Sequence, residues 1–463
     1  MIETIDSGDI RYEFIDKSLL SHDGSNIFTV MIGRNGTGKS RLLKDIVEAV
    51  SSEKQKKSSY KIQYINYNKS GFSKVIALST TPFDKFPLPR TIESNNKYYY
   101  IGIKDCGFRD VSNGFLRKIL GSYLRAYLLG DRESLGKTLD YLGYEKTFNL
   151  KFSYIGGSII ERLTNEQIEL NKQNVKSNKN YNLEWKLRYY LEERYRKGEY
   201  HLENFLFEAK KHPESEGYVS TILESLISIP AIHRIRKVSI SINNNEVTVS
   251  NEKISFNNEL INLIDAGILK LKSAYLQKKG SKEIFKINDA SSGEQCVILS
   301  MLGISSLISD NSLILIDEPE VCLHPEWQEK YIQLLTRVFN SYKYCQFIIA
   351  THSPQVIANL STDQCFVLKM EDGVVHNANE FIHKSSDFQL ATLFESPGYK
   401  NEYLSRLAVS LFSKITAERN IDSEDLETLH VLKKSLDMLS VDDPLYELIN
   451  VIIKAGSVYG GDK

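Results

Sequence analysis

The sequence predicts an α/β fold with a mixed sheet, a β-rich N-terminal flank, a helical insertion and a helical C-terminal region. Three observations predict it. A buried strand at 27–32 runs into a glycine-rich loop and a helix, a second apolar strand ends in Asp317 and Glu318, and a third ends at His352. Because parallel strands of an open sheet end at one edge, these three strand ends are expected to share a ligand site.

Length and charge limit what the chain can be. With 463 residues it is long enough for about three structural units. The formal net charge of -1 excludes a global basic field, so any nucleic-acid contact has to be local. The five cysteines have no C-x-x-C spacing, which favours buried thiols over a zinc site. Without a signal-like N-terminus or a long apolar run, a cytoplasmic protein with no membrane contact is expected.

The chain is divided into four segments by changes in its hydrophobic pattern. Residues 1–110 are predicted to form the N-terminal half of a nucleotide-binding head. Helical periodicity over 111–235 predicts an inserted helical arm. Residues 236–400 return to strand patterns and are predicted to form the C-terminal half of the head. Residues 401–463 carry two apolar helical stripes, which are a candidate docking segment, although packing against each other is the simpler interpretation.

The loop after the first buried strand predicts a phosphate site. It consists of Gly33, Arg34, Asn35, Gly36, Thr37, Gly38, Lys39 and Ser40. Glycine permits positive φ and close backbone approach, so backbone N–H groups can surround a polyphosphate at the start of the helix. Lys39 is expected to bridge the β- and γ-phosphates, and the Ser40 hydroxyl is expected to hold Mg²⁺.

A strand is predicted at 75–79, and a Thr-Thr-Pro-Phe-Asp loop follows it. An aromatic residue of the N-terminal flank, Tyr12 or Phe14, could stack on a base, but a core position is the favoured interpretation.

Farther along the chain, a hairpin is predicted at 238–249, a helix at 260–276 and a strand at 284–287.

A second anion site is predicted before the helix at 296–308. Ser291, Ser292, Gly293 and Glu294 lie at its start, where serine side chains and free N–H groups form a cradle. Downstream, the adjacent carboxylates of Asp317 and Glu318 end an apolar strand, a placement that is costly without a cation or donors nearby.

The order of these motifs resembles the head of ABC-class ATPases, the class that includes SMC and recombination ATPases. The resemblance implies ATP as the ligand, Asp317 as a Mg²⁺ ligand, Glu318 as the residue that polarises the attacking water and His352 as a contact to the γ-phosphate. It also implies that the Ser291–Glu294 loop reaches ATP held by a second copy, so that heads form a homodimer, with higher homo-oligomers built from such dimers left open. The class usually has a Gln after the strand at 75–79, and none is present; Thr80, Thr81 and Asp84 are the alternatives.

A closer likeness is carried by Asp-Glu-Pro-Glu at 317–320, Leu-His-Pro at 323–325 and Thr-His-Ser-Pro at 351–354. These motifs, together with Thr-Pro-Phe-Asp-Lys-Phe at 81–86, the arm and the helical tail at 401–463, resemble the PtuA family. Members of that family are the ATPase subunits of Septu anti-phage systems and of some retrons. That resemblance implies a separate HNH endonuclease subunit, PtuB-like, whose DNA cleavage the ATPase controls. No Asp-x-Asp follows His352, so a nuclease centre in this chain is not expected.

The arm contains a local basic stretch at 172–188. Five cations, Lys172, Lys176, Lys179, Lys186 and Arg188, face one acid, Glu184, with Tyr181 and Trp185 between them. Contact with DNA, or with retron RNA or DNA, is one interpretation, and a solvated charged face is the more common one.

Other functions are compatible with some of these motifs. A DNA-repair ATPase of the RecF or SMC kind would carry a long coiled coil, whereas this arm is interrupted at Gly156 and Gly157. An ABC transporter subunit is disfavoured by the missing Gln and the large insertion. A non-hydrolysing nucleotide-binding scaffold would carry the same motifs.

Overall fold

The structure is a computed structural model. It describes residues 1–20, 24–51, 60–65, 71–89, 97–102, 104, 111–130, 133–154, 157–172, 185–190, 193, 216–229, 235–243, 246–360, 364–418 and 421–459.

Strands and helices are interleaved along most of the described chain. In chain order, the strands are β1 (Ile2–Ser7), β2 (Ile10–Glu13), β3 (Ile27–Ile32), β4 (Lys61–Tyr64), β5 (Lys74–Ser79), β6 (Tyr98–Gly102), β7 (Tyr144–Tyr154), β8 (Lys237–Asn243), β9 (Glu246–Val249), β10 (Leu269–Lys278), β11 (Ile284–Lys286), β12 (Ser312–Asp317), β13 (Gln346–Ala350), β14 (Cys365–Lys369) and β15 (Val375–Asn377). The helices are α1 (Lys39–Ser51), α2 (Val111–Leu128), α3 (Ser134–Tyr141), α4 (Gly157–Lys172), α5 (Glu216–Ser228), α6 (Asn258–Asp265), α7 (Ser292–Ser305), α8 (Pro325–Val338), α9 (Pro354–Ala358), α10 (Ser386–Thr392), α11 (Glu402–Glu418), α12 (Ser423–Leu436) and α13 (Pro444–Tyr459).

A seven-stranded sheet carries the predicted site. Its order is β15-β14-β3-β13-β12-β5-β6, and every pair is parallel except β14 with β15. The central strands β3, β12 and β13 are buried along their whole length, as expected for parallel strands covered on both faces. The predicted α/β fold class with a mixed sheet is confirmed.

A small antiparallel sheet in the order β2-β1-β4 forms the β-rich flank. Gln346 of β13 holds it to the main sheet, because its side chain accepts from the Ile2 N–H at 2.7 Å and donates to the Ile2 carbonyl at 2.9 Å. Tyr12 and Phe14 are both buried in the core, which agrees with the core interpretation of these aromatic residues.

A third sheet, antiparallel, has the order β11-β10-β7-β8-β9. Its central strand β7 comes from the segment that the sequence predicted as a helical arm. That prediction is wrong for Tyr144–Tyr154, because Phe148, Leu150 and Phe152 alternate with polar residues and are buried on one face. Strands from 111–235 and 236–400 therefore share one sheet.

The predicted helix at 260–276 is also wrong in its second half. Helix α6 ends at Asp265, and Gly267 follows with φ of +71°, a left-handed conformation that suits glycine and stops a helix. From Leu269 the pattern changes to alternation, with Leu269 and Leu271 buried, and the chain forms β10. The predicted hairpin strands at 238–249 and the strand at 284–287 are confirmed as β8, β9 and β11.

Helices α11, α12 and α13 form a separate hydrophobic core in the C-terminal region. The two apolar stripes of the tail supply most of it, and the buried members are Leu404, Ala408, Leu411, Ile415, Leu432 and Leu439. These residues are therefore covered by the chain itself, in agreement with the simpler interpretation of the stripes.

The basic stretch of the arm falls largely outside the described residues. Lys176, Lys179, Tyr181 and Glu184 belong to that part, and Lys172 ends α4. Where the chain is described again, Trp185 stacks on Tyr189 with ring centroids 5.6 Å apart, and Lys186 pairs with Glu166. No helix within the described ranges is both long and apolar enough to cross a bilayer.

Candidate functional site

The sheet register brings the three predicted strand ends together. Asp317, the last residue of β12, is paired with Ala350 at the end of β13, and Ala350 is paired with Met31 near the end of β3. The phosphate loop follows β3, the two carboxylates lie at the end of β12 and His352 follows β13. Because β3 and β12 are the two neighbours of β13, all three groups lie at the same edge of the sheet.

The phosphate loop requires its glycines for two different reasons. Gly36 and Gly38 have φ of +86° and +98°, a backbone conformation that other residues rarely adopt. At Gly33 the space is filled, because a Cβ there would lie 2.8 Å from Oγ1 of Thr37 and 2.9 Å from Cβ of Met370. The loop then leads directly into α1, whose free N–H groups and dipole favour an anion.

Lys39 is turned back into the loop. Its Nζ donates to the carbonyls of Gly33 at 2.8 Å and Arg34 at 3.3 Å, and it lies 3.3 Å from Nδ1 of His352. Burial lowers the pKa of Lys39 to about 8, while the nearby carboxylates, Glu318 first, raise it. The ammonium is thus poorly compensated where it lies, and a polyphosphate at this position would supply the missing negative charge.

The Ser40 hydroxyl donates to Oδ1 of Asp317 at 3.0 Å. Asp317 is 3 % exposed, and burial raises its pKa to about 7, with the negative charge of Glu318 adding to the rise. A buried carboxylate beside a hydroxyl at a phosphate loop is a suitable donor set for Mg²⁺, which is bound in such sites by one or two protein oxygens together with substrate phosphates. These residues fit the predicted metal.

Glu318 and His352 face each other beside Lys39. A lysine ammonium can only donate, so Nδ1 of His352 accepts from Lys39. The proton of the His352 ring is then on Nε2, which lies 3.3 Å from Oε1 of Glu318. Burial, together with the charge of Lys39, lowers the pKa of His352, so the ring is neutral. Glu318 has φ of +47°, a strained conformation that in proteins clusters at functional sites.

Glu320 is a residue of the site that sequence reasoning did not single out. Its Oε1 accepts from the backbone N–H of His352 at 2.6 Å, which fixes the chain just after β13. Burial raises the pKa of Glu320. The Asp-Glu-Pro-Glu pattern contains this carboxylate, but only the fold shows that it supports the histidine.

Two more carboxylates hold the phosphate loop from the far end of the sequence. Oε1 of Glu371 accepts from the Arg34 N–H at 3.0 Å, and Oε2 of Glu395 pairs with the Arg34 guanidinium at 2.7 Å. Lys434 of α12 pairs with the other oxygen of Glu395 at 2.8 Å. The loop is thereby connected to the C-terminal region. No local motif marks Glu371 or Glu395.

The Ser-Ser-Gly-Glu loop, residues 291–294, is exposed at its two serines and lies in a separate group of contacts. The side chain of Ser291 accepts from the Glu294 N–H and caps α7, and Ser292 is exposed. Gly293 packs against the chain that follows the two carboxylates, since a Cβ there would lie 3.3 Å from the Cys322 carbonyl. Among the described residues, none of the hydrogen bonds of this loop leads to the phosphate loop.

The Glu294 carboxylate is bound within the chain by the five-stranded sheet. Tyr144 of β7 donates its hydroxyl to Oε1 of Glu294 at 2.6 Å, and Lys278 of β10 lies 3.3 Å from the same oxygen. Any contact of Glu294 with a nucleotide would therefore involve its backbone. Tyr144 carried no signal in the sequence, because it lies 150 residues from its partner.

The loop after β5, where a Gln is missing, contains a fixed carboxylate. Asp84 is buried, accepts from the Tyr100 hydroxyl at 2.7 Å and from the Phe86 N–H at 3.0 Å. Burial raises the pKa of Asp84, and these hydrogen bonds oppose the rise. Both of its oxygens are thus already engaged. Thr80 also lies near the site, with Oγ1 3.5 Å from the backbone carbonyl of Glu318.

A parallel-rich sheet with a phosphate loop, two carboxylates and a histidine at one edge defines a phosphate-loop nucleotide-binding protein. Comparison with known proteins is consistent with that class. The chain belongs to the AAA ATPase domain family, whose model matches residues 12–357.

Three curated relatives match shorter stretches. The chain is 34% identical over 90 residues to the retron Ec83 probable ATPase of Escherichia coli, covering 17% of this chain and 16% of the relative. It is 37% identical over 60 residues to the retron Vc95 probable ATPase of Vibrio cholerae, covering 13% and 11%. It is 26% identical over 143 residues to the Septu protein PtuA of Bacillus thuringiensis, covering 30% and 35%. The matches thus span about a third or less of each relative.

Solved structures add only a weak comparison. An Smc head bound to the C-winged helix domain of ScpA aligns over 81% of this chain and 96% of its own, at 13% identity and a TM-score of 0.29. An Smc head domain with an extended coiled coil from Pyrococcus furiosus gives a TM-score of 0.27 at 12% identity, over 82% of this chain and 97% of its own. The fold assignment therefore rests on the topology of the chain itself.

Proposed function

We propose that this protein is an ATP-binding and hydrolysing regulatory subunit of an anti-phage defence complex, in which it controls a partner HNH DNA endonuclease through ATP-dependent dimerisation of its heads. One observation carries the ATPase part of the proposal. Two groups of direct contacts lie at one sheet edge, Lys39–His352–Glu318 and Ser40–Asp317.

The chemistry follows from what these side chains can do. Phosphoryl transfer needs neutralisation of charge and an in-line nucleophile. Ser40 and Asp317 would hold Mg²⁺, which supplies positive charge at the phosphates. Lys39 would leave the carbonyls it now contacts and bind the β- and γ-phosphates. Glu318 would orient and polarise the water, and the neutral His352 can donate from Nε2 to a phosphate oxygen or to Glu318.

Dimerisation is supported by the position of the second loop. Ser291 and Ser292 are exposed at the start of α7, and the hydrogen bonds of this loop are made with residues other than those of the phosphate loop. In our proposal, Ser291, Ser292 and Gly293 of one copy approach the γ-phosphate bound by the other copy. ATP binding then closes the pair, and hydrolysis loosens it.

The defence role is supported by the relatives rather than by the site. Two of them are named as probable retron ATPases and one as the Septu protein PtuA. Because the matches cover about a third or less of each relative, the HNH partner, the cytoplasmic location and contact with retron RNA or DNA through the arm are all part of this proposal.

Glu318→Gln is the variant that tests the nucleotide mechanism. The amide keeps the size of the side chain but cannot polarise water, so the variant is expected to bind ATP and to accumulate as a dimer in mass photometry, while phosphate release stops. Glu329→Gln, an exposed carboxylate of α8, is the matched control and should behave as the wild type. An unchanged mass with and without ATP, in both the variant and the wild type, would contradict the proposal.

Co-expression with the product of the neighbouring open reading frame, which in our proposal is the HNH subunit, tests the partner. The two are expected to co-purify, and DNA cleavage should depend on which nucleotide is bound. If the two proteins co-purify but the rate of DNA cleavage is the same with ATP, with ADP and in Glu318→Gln, the complex exists without the proposed control by nucleotide.

A non-hydrolysing scaffold is the second candidate function, and one observation favours it. Of the three alternatives to the missing Gln, Asp84 has its carboxylate held by Tyr100 and Phe86, so that carboxylate is not free to bind water. A sensitive phosphate-release assay separates the two candidates, since a scaffold would show no turnover above the rate of Glu318→Gln.

A further inference from the structure

The five-stranded antiparallel sheet has one apolar face and one polar face. On the inner face, Phe148, Leu150 and Phe152 of β7 are buried against neighbouring strands and helices. The outer face is formed by the alternate residues of each strand. Its positions, taken from the pairing registers, are Lys286 and Ile284 on β11, Lys270, Ser273, Tyr275 and Gln277 on β10, Thr147, Asn149, Lys151 and Ser153 on β7, Lys237, Ser239, Ser241 and Asn243 on β8, and Thr248 and Glu246 on β9.

We call this surface the basic face, because its charges are mostly of one sign. Four lysines, at 151, 237, 270 and 286, lie on four neighbouring strands, while Glu246 and the adjacent Glu145 lie at one end of the sheet. The chain as a whole has a net charge of -1. The positive charge is therefore a local feature, and the hydroxyl and amide side chains between the lysines add hydrogen-bonding groups.

Tyr275 is the aromatic residue near the middle of the basic face. It is paired with Asn149 on one side and Lys286 on the other, and Nζ of Lys151 lies 4.7 Å from the centre of its ring. A hydrogen bond with Ser273 and the charge of Lys151 lower the pKa of Tyr275. A partly exposed ring with Lys151 over it and Lys286 paired beside it combines a stacking surface with phosphate-binding charges.

We propose that the basic face binds a single strand of nucleic acid, with the lysines on its phosphates and a base stacked on Tyr275. Strands lie about 4.8 Å apart and rise about 3.3 Å per residue, so the registers put neighbouring lysine backbones about 8–12 Å apart. Flexible side chains on that grid can reach several phosphates of one extended strand. A sheet face with an aromatic ring near its middle suits splayed bases better than the grooves of a duplex.

The sheet also gives such binding a direct connection to the proposed ATP site. The side chains of Tyr144 on β7 and Lys278 on β10 hold Glu294 of the Ser-Ser-Gly-Glu loop. The same two strands supply Lys151 and Tyr275 to the basic face. The binding itself does not depend on the nuclease partner or on dimerisation, so it can fail while the proposed function holds.

The test uses the full-length protein and a fluorescein-labelled 20-nucleotide oligo(dT) in an anisotropy titration. Lys→Gln at 151, 237, 270 and 286 together is expected to weaken binding at least ten-fold at 0.1 M salt, and to reduce the slope of log K against log salt by about 2–3, because each phosphate contact on a single strand contributes about 0.7. Tyr275→Ala is expected to weaken binding at least five-fold with little change of slope, as loss of one stacked base would.

The matched control removes the same charge elsewhere. Lys→Gln at 61, 253, 343 and 433 replaces four exposed lysines outside the basic face and should change affinity less than two-fold. Equal losses in the two quadruple variants, or none in either, would overturn the proposal. So would a duplex of the same length that binds more tightly than oligo(dT), or poly-glutamate that competes as well as the oligonucleotide, since the face would then prefer duplex DNA or acidic proteins.

Discussion

Tyr144→Phe should weaken the attachment of the Ser-Ser-Gly-Glu loop to the five-stranded sheet, although the substituted residue lies outside the loop. The substitution removes one hydroxyl, which donates to the Glu294 carboxylate at 2.6 Å. Hydrogen bonds to charged groups contribute about 1.5–3 kcal/mol, and the lower value is appropriate here, because the Glu294 side chain is 18% exposed and keeps Lys278 as a partner. We expect the free energy of unfolding to fall by about 1.5 kcal/mol.

The same loss should appear in ATP-dependent assembly. If the hydrogen bond helps to position the loop in the ATP-bound dimer, losing about 1.4 kcal/mol raises the dimer Kd ten-fold. Urea denaturation followed by tryptophan fluorescence measures stability, and mass photometry over a concentration series with ATP measures assembly. Tyr141→Phe, whose side chain is half-exposed on α3, is the control and should change neither quantity. A Tyr144→Phe protein as stable as the wild type, with the same dimer Kd, would refute the reasoning.

Three further outcomes are expected. Gly33→Ala should weaken ATP binding at least ten-fold in a fluorescent-nucleotide titration, because the added Cβ would lie within 2.8–3.0 Å of three side chains. Cys322 should react with iodoacetamide more readily than an ordinary thiol, since a hydrogen bond from Cys296 lowers its pKa; its rate should rise with pH and level off at a lower pH than that of an ordinary thiol. Gln346→Leu should cost about 2–4 kcal/mol in urea denaturation, because the buried N–H and carbonyl of Ile2 would lose their partners.

Each of these outcomes has its own control. Gly280→Ala adds a Cβ in open space and should leave ATP binding unchanged. Burial raises the pKa of Cys345 to about 12, so this thiol should stay unreactive over the same pH range. A reactivity midpoint for Cys322 at or above that of an ordinary exposed thiol would contradict the role of Cys296. Gln346→Glu, which keeps the acceptor oxygen, should be destabilised less than Gln346→Leu at low pH, where the acid can donate.

The strand ends of the site could be predicted from the sequence because their signals are local. An apolar run of five or six residues followed by glycines, carboxylates or Thr-His-Ser-Pro marks β3, β12 and β13 without knowledge of their neighbours. The register of the parallel sheet then places the ends together. For these elements the local pattern and the global fold agree, which is why the prediction succeeded.

Strand β10 was mispredicted because a helical spacing and a strand spacing of hydrophobic residues follow each other without a clear break in one apolar segment. Leu260, Ile261 and Ile264 fit a helix, and from Leu269 the buried residues alternate, but Ile268 and Leu269 are both buried and hide the change. Gly267 is the local signal that could have separated them, as a helix stop. Strand β7 was missed in the same way, inside a segment dominated by helical spacing.

The supporting contacts of the site could not be predicted, because they join residues that are distant in sequence. Glu371 and Glu395 reach Arg34 across 337 and 361 residues, and each lies in a stretch with no motif. A carboxylate on the surface of a loop has the same local pattern whether it meets an arginine or water. Only the tertiary fold decides between these cases.

The two loops of the proposed composite ATP site are tied to different parts of the chain with different strength. Arg34 is connected to the C-terminal region through Glu395 and Lys434, whose side chains are one quarter and nearly two thirds exposed; exposed ion pairs contribute about 0.2–1 kcal/mol each. Glu294 is held to the sheet by a shorter, better buried hydrogen bond. A nucleotide that attracts Arg34 can therefore break the connection to the tail at small cost, while the Ser-Ser-Gly-Glu loop moves with the sheet. In the proposed mechanism, the ion pairs of Glu395 are therefore the first contacts that ATP would break, and binding at the basic face would act on the Ser-Ser-Gly-Glu loop through Tyr144.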